Sequence, residues 1–327
     1  MIDRRMLLAG LAAGAWAAPA RSQTAQRLRV STAAPIGDFL EKAMDSFKAE
    51  VEGAQAGVTV DVYPGSTLFK QGTEVPALQR GNLEMSTMTT FEVAQQIPSY
   101  GFLNRGYLFR DYNHLRRVFD GPIGEDYRRA VSAQMEIEIL ATAYLGTRQV
   151  ALRKARHVAS PADLAGVKMR MPAGPEWLLL GQALGVNPVP LGASEVYLAL
   201  KTGTIDGQEN PVAIFNANKF YEVSEQMVLT SHLVQPVFIN IASAAWKKLS
   251  DAQKKVVAAA AQHAAAANDS GRLADETSLL AALKGRGMQV VSIDLAPFRA
   301  HADQVYGAAG ITKSWDAALM QRVVAAA

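Results

Sequence analysis

An α/β chain of two lobes is predicted, each lobe a mainly parallel sheet flanked by helices, with one long helix crossing both. Three observations predict it. Between Arg27 and Met88 strand and helix patterns alternate in β-α-β-α-β order, which builds a parallel sheet through right-handed crossovers. The same alternation returns after Ser160. A helical pattern then persists from Ser250 to Lys284, about 35 residues or roughly 50 Å, longer than a small lobe is wide. The 327 residues also exceed what one small core serves.

Taken in order, the chain opens on an export signal over residues 1–22. Arg4 and Arg5 precede an apolar run to Ala18, and Ala18-Pro19-Ala20 offers small residues for cleavage. The arginine pair suits a twin-arginine route, with an ordinary secretory signal as the alternative. The apolar stretch is too short to span a bilayer comfortably, so the expected location is periplasmic. Removing residues 1–22, with Arg4, Arg5, Arg21 and Asp3, takes the formal charge from +3 to +1. That balance argues against nucleic acid as a partner. There are no cysteines, so neither disulfides nor a lipidated cysteine holds the chain.

Arg27–Thr32 reads as a strand, and 38–51 as a helix with an apolar stripe of Phe39, Met44, Phe47 and Val51. Residues 58–63 alternate as a strand ended by Pro64-Gly65-Ser66; 74–80 is a short helix and 83–88 a further strand. Thr87-Met88-Thr89-Thr90-Phe91 then falls at a strand's carboxyl edge, where it either lines a pocket or caps the next helix. Helices follow over 112–120 and 124–134, parted by Gly121-Pro122, and Glu136–Leu140 alternates as a strand leading into Gly146. The first crossing between lobes is placed there.

In the second lobe Ser160-Pro161 starts a helix with proline at its first position, and Val167–Met171 alternates as a strand stopped by Pro172. Residues 176–184 and 192–201 are helical, stopped by Gly185 and Gly203. Ile205–Gln208 is a short strand that delivers Glu209 and Asn210, with Pro211 opening the next helix. Val237–Ile241 returns as a strand to the first lobe. Ser250-Asp251-Ala252-Gln253 is a capping box for the long helix, with a bend expected at Gly271. A strand over 288–293 and a terminal helix over 314–324, lying on the second lobe, complete the chain. The expected division is lobe I, 23–146 plus 235–275, and lobe II, 147–234 plus 276–327.

Between Leu145 and Pro211 arginine, carboxylate and amide side chains recur inside short apolar segments bounded by Gly or Pro. Val167, Met169 and Met171 share one strand face, and Lys168 and Arg170 the other. Arg170 therefore sits at a strand's carboxyl end, where ligands of open α/β sheets bind. Its planar fork matches a carboxylate in a way no lysine does; the competing reading is an arginine snorkelling over the sheet edge.

Gly146-Thr147-Arg148-Gln149, Lys168-Met169-Arg170-Met171-Pro172, Ser194–Leu200 and Asp206–Pro211 together resemble the signature of TRAP-transporter solute-binding proteins, the DctP family, and within it the sialic-acid-binding branch most. The likeness extends over almost the whole mature chain. It implies a two-lobed periplasmic binding protein fold that closes by a hinge on a small carboxylate and delivers it to membrane permease subunits, as a monomer without cofactor or metal. It further implies that Arg170 clamps the carboxylate and Asn210 closes on the same ligand. Arg148, Glu209 and His232 correspond to a charged cluster behind the ligand, Arg148 also counting among the ligand-binding residues with Thr89, Phe91, Ala173 and Ala193. Departures from the branch fall at Ala173 for an asparagine, Ala193 for a phenylalanine, and Ala33 and Thr89 for an asparagine and a glutamate. A polyhydroxylated sugar acid needs many hydrogen bonds, each lost one costing about 1–3 kcal/mol. A carboxylate smaller or less polar than sialic acid is therefore expected.

Enzyme signatures are missing. His114, His157, His232, His263 and His301 form no zinc-spaced pair, and no Gly-x-Ser-x-Gly or phosphate loop occurs. A periplasmic enzyme acting on a small carboxylate, its catalytic groups drawn from distant positions, is the competing class. A ligand-presenting input to a sensor is the third.

Overall fold

The computed structural model describes residues 25–327; the expected export signal lies outside the described residues. Nine strands form one sheet: β1 (Gln26–Ser31), β2 (Val58–Tyr63), β3 (Met85–Met88), β4 (Ile137–Leu152), β5 (Lys168–Met171), β6 (Asn187–Pro190), β7 (Gly207–Pro211), β8 (Gln226–Ala242) and β9 (Gln289–Ser292). Their order is β2-β1-β3-β8-β4-β7-β5-β6, with β9 also on β8. At one end β2, β1 and β3 are parallel; at the other β7, β5 and β6 are parallel. The two ends are joined by the long antiparallel ribbon β4–β8.

That ribbon is the main departure from the sequence reading, which expects short strands on either side of a crossing at Gly146. Instead Gly146, Thr147, Arg148 and Gln149 lie inside β4, and His232 lies inside β8. Both strands are almost wholly buried because each serves both ends of the sheet. The pairing slips register between Tyr144 and Gly146 and again between Arg148 and Val150, and such bulges bend and twist a ribbon locally. Gly146 has φ +126°, and a Cβ there would stand 2.5 Å from the Pro211 side chain. Only glycine fits.

Apolar residues gather in cores on both ends. Helix Phe39–Gly53, N-capped by Asp38 onto Leu40 N, packs Leu40, Met44, Phe47 and Val51 against Val30, Val60 and Ile239. Far along the chain, Leu164, Met169, Met171 and Trp177 pack with Val150, Val228 and Phe298. The helix Asp251–Gly285 has Ser250 and Gln253 in a reciprocal capping box. Its early residues Val257, Ala261 and Ala264 lie in the first-end core; its late residues Leu279, Leu280 and Leu283 pack with Phe215, Phe220 and Met227. It therefore reaches both ends, as expected.

The long helix runs unbroken through Gly271, where a Cβ would lie 2.6 Å from the Phe39 ring, so the glycine serves close approach. Two expectations need correction. The terminal helix Ala317–Ala325 packs on the first end, not the second. Val323 joins Leu115, Phe119 and Phe238 in its core, and the His114 ring donates to the Val323 carbonyl at 2.8 Å. Strand β6 is absent from the sequence reading because Pro188 and Pro190 occupy half of it. It pairs with β5 alone, at the sheet edge, where proline is tolerated.

Candidate functional site

Beyond the ends of β3, β5 and β7 lies a cavity of about 120 Å³, walled by Ala33, Ala34, Pro35, Gln71, Glu74, Thr87, Thr89 and Glu92 from one end of the sheet. The other end supplies Arg170, Ala193, Ser194, Val196, Asn210, Ile214 and Phe220. Strand alternation puts Arg170 there. Met169 and Met171 point into the core at 0% exposure, so Arg170 occupies the opposite face. It is nonetheless only 2% exposed.

What holds Arg170 is neutral. Its Nε donates to the Leu191 carbonyl at 2.8 Å and one terminal nitrogen donates to Gln71 Oε1 at 3.0 Å. Nη1 has no hydrogen bond among the described residues, and no carboxylate forms an ion pair with this guanidinium there. Burial pulls Arg170 down to about 10, with Glu209 opposing and Arg148 adding to the shift. It stays cationic at neutral pH, a buried positive charge left without a counter-ion.

Behind it the charges cancel. Arg148, 3% exposed, pairs through Nε with Glu209 Oε2 and through Nη2 with Glu209 Oε1 at 2.6 Å; Nη1 donates to Gln235 Oε1 at 2.8 Å. Its guanidinium carbon also lies 4.9 Å from the centre of the Trp177 ring. Glu209 pays for burial but is held below the usual carboxylate range by Arg148 and His232. His232 contacts Glu209 Oε2 through Nε2 at 3.0 Å and the Thr230 hydroxyl through Nδ1 at 2.8 Å. Burial lowers His232 first, and Glu209 only partly restores it. A neutral imidazole donating Nε2–H to Glu209 and accepting at Nδ1 satisfies both contacts.

Asn210 links the two regions. Pairing of β5 with β7 sets Arg170 opposite Gln208, two residues before Asn210. Asn210 Oδ1 accepts from Arg148 Nη2 at 3.2 Å and Nδ2 donates to Gln208 Oε1 at 2.5 Å. The amide nitrogen keeps a second N–H for the cavity, which Asn210 lines.

The predicted site residues divide accordingly. Arg170, Asn210, Thr89 and Ala193 line the cavity; Arg148, Glu209 and His232 form the layer behind. Thr89 fills both roles open at its position, since its hydroxyl also accepts from Phe91 N in a capping box with Glu92. Phe91 and Ala173 are not among the lining residues. The Phe91 ring is stacked on Trp177, centroids 3.5 Å apart at 7°, and this aromatic pairing turns it into the core. Ala173 sits exposed just beyond β5. Arg148 likewise reaches the cavity only through Asn210. Sequence reading missed Gln71, Glu74 and Glu92 as lining residues, because locally they look like helix starts.

Comparison with known proteins places this architecture. Residues 30–312 match the DctP family, described as bacterial extracellular solute-binding protein, family 7. The sialic acid-binding periplasmic protein SiaP of Vibrio cholerae is 30% identical over 273 residues, covering 84% of this chain and 83% of that protein. A TRAP periplasmic solute-binding protein from Roseobacter denitrificans, with bound 3-deoxy-D-manno-oct-2-ulosonic acid, is 36% identical with a TM-score of 0.88, covering 92% of this chain and 99% of that one. A TRAP solute-binding protein from a Polaromonas species, bound to D-erythronate, is 30% identical with a TM-score of 0.85 over 92% and 98% of the two chains. With a matched family covering nearly the whole described chain and an overall fold shared at a TM-score of 0.88, this protein belongs to the DctP family of TRAP solute-binding proteins.

Proposed function

We propose that the cavity captures a small organic acid through its carboxylate, with Arg170 as the anchor and Asn210 as the directional donor. The carrying observation is that Arg170 is buried and cationic and lines the cavity, while among the described residues its Nη1 has no hydrogen bond and the cavity's acids do not pair with it. An arriving carboxylate supplies the missing counter-ion, and the fork makes the contact bidentate. Arg148, Glu209 and His232 carry no net charge as a group and orient Asn210 from behind. On this reading Thr89 and Ala193 contribute wall, while Phe91 and Ala173 act only through their neighbours.

A cavity of about 120 Å³ suits an acid smaller than sialic acid. The relatives bound to D-erythronate and to the octulosonic acid support a hydroxylated or keto acid. Ala33, Thr89 and Ala193, which line the cavity, stand where larger or more polar side chains are expected in the sialic-acid branch, which removes partners a large sugar acid needs.

The mechanism is closure of two lobes about the β4–β8 ribbon, whose bulges at Tyr144–Gly146 and Arg148–Val150 supply the bending points. On this reading lobe I is 23–146 plus 235–275 and lobe II is 147–234 plus 276–327, with the terminal helix grouped with lobe I because Val323 packs in its core. The closed protein delivers its acid outside the cytoplasm to membrane permease subunits, with no chemical step. A thermal-shift panel of hydroxy, keto, sugar and aromatic acids, with mass spectrometry of the ligand that co-purifies, tests this. A midpoint rise without product is expected; turnover of the acid, or no response to any carboxylate, overturns it.

A further inference from the structure

The cavity holds two acids that the anchor does not use. Glu74 and Glu92 line the same space as Arg170, on the first-end helices Glu74–Gln79 and Thr90–Ala94. Neither forms an ion pair among the described residues. Glu74 Oε2 accepts the Gly72 N–H at 2.8 Å, and Glu92 Oε2 accepts the Thr89 N–H at 2.8 Å and meets the Thr89 hydroxyl at 2.6 Å. Gln71, bonded to Arg170 at 3.0 Å, is a neutral amide three residues before Glu74. The charged and titratable groups facing the pair are each other, the buried Tyr127 hydroxyl beside Glu92, and Arg170 in the same cavity wall.

We propose that Glu74 and Glu92 keep their protons, making the first-lobe end of the cavity an uncharged donor surface that accepts the hydroxyl or keto tail of a monocarboxylate and rejects a second carboxylate. This rests on the reading of Arg170 as carboxylate anchor. With both acids neutral the cavity carries a single positive charge, which one carboxylate cancels. A dicarboxylate leaves a net negative charge in a desolvated space. Were both acids ionised, they would outweigh Arg170 and repel any anion. Burial raises both and is the largest cause for each, pushing Glu74 up to about 8.

The binding consequence has a definite sign. The proton-bearing form binds, so affinity is full below about pH 8 and falls as pH rises through it, by up to about tenfold per pH unit for each carboxyl that must take up a proton. The test is calorimetry on the full mature chain with galactonate against galactarate and D-erythronate against tartrate, plus the amine-bearing D-glucosaminate, from about pH 6 to about pH 9, below the range in which Arg170 loses its charge. The expected result is at least about tenfold weaker binding of each dicarboxylate and an alkaline loss of monocarboxylate affinity. In Glu74→Gln that loss moves to higher pH. Equal binding of the diacids, a flat alkaline profile or preference for the amine overturns the proposal.

A ligand-free measurement closes the remaining gap. In carbon-13 spectra of glutamate-labelled protein, the carboxyl signal missing from Glu74→Gln should titrate near pH 8. Titration in the ordinary carboxylate range overturns the proposal even if no acid in the panel binds. The two readings fail separately: loss of all carboxylate binding condemns the anchor, whereas diacids binding as well as monoacids condemns only the neutral end.

Discussion

Arg148 and Arg170 are equally buried, at 3% and 2% exposure, and lie on neighbouring parts of one sheet, yet the protein treats them oppositely. Arg148 has a carboxylate, a glutamine, a carbonyl and an aromatic face around it. Arg170 has one carbonyl and one amide. A buried charge with a complete shell is structure; one with an incomplete shell is a request for a ligand. On the proposed reading, the cost of leaving Arg170 unpaired falls on the empty protein and is returned when an anion binds.

The largest expected effect comes from breaking the satisfied arginine. Arg148→Met leaves Glu209 buried without its cation and held by His232 alone, and should cost about 3–5 kcal/mol of stability, read as a drop in Cm at unchanged m-value. A fall under 1 kcal/mol would place the two arginines in one class. Arg170→Lys should instead weaken binding by about 100-fold, because the fork is lost while the charge remains. Arg170→Met should abolish binding without lowering the ligand-free Tm; a melt as depressed as that of Arg148→Met removes the contrast.

Smaller effects probe the groups that surround each arginine. His232 is held below its ordinary value of 6.5 by burial. Its contribution is therefore present above about pH 6.5 and lost as pH falls, since the unfolded chain takes up a proton that the folded chain refuses. Wild-type Tm should decline on acidification more steeply than that of His232→Gln; parallel curves argue against a neutral imidazole. Glu74 has the reverse sign. Its value rises to about 8 in the folded chain, so its contribution is whole below about pH 4.5 and lost as pH climbs to about 8. Ligand-free Glu74→Gln should lose less Tm over that window than wild type, by a few degrees at most.

Much of this was readable from local pattern. The alternation of Val167–Met171 predicts which face Arg170 takes, and the Ser250–Gln253 box and Gly203 mark helix ends that the structure shows. The four short motifs point to the family that the comparison finds. What escaped depends on contacts distant in sequence. Phe91 looks like pocket lining until Trp177 is laid against it. Nothing near Gly271 in the sequence announces that Phe39 packs directly against it. Pro188 and Pro190 hide a strand that exists because β5 offers it an edge.

By itself, then, the sequence determined the class of fold and the order of most of its elements, and it offered Arg170 as the candidate cationic fork. These follow from periodicity, caps and side-chain chemistry, which act within a few residues. Only the tertiary structure decided which buried arginine is left without a carboxylate, that Gln71, Glu74 and Glu92 face it in the same cavity, and that the terminal helix covers the first end. A charge is free or paired according to what chain folding brings within a few ångströms of it, and no local pattern records that.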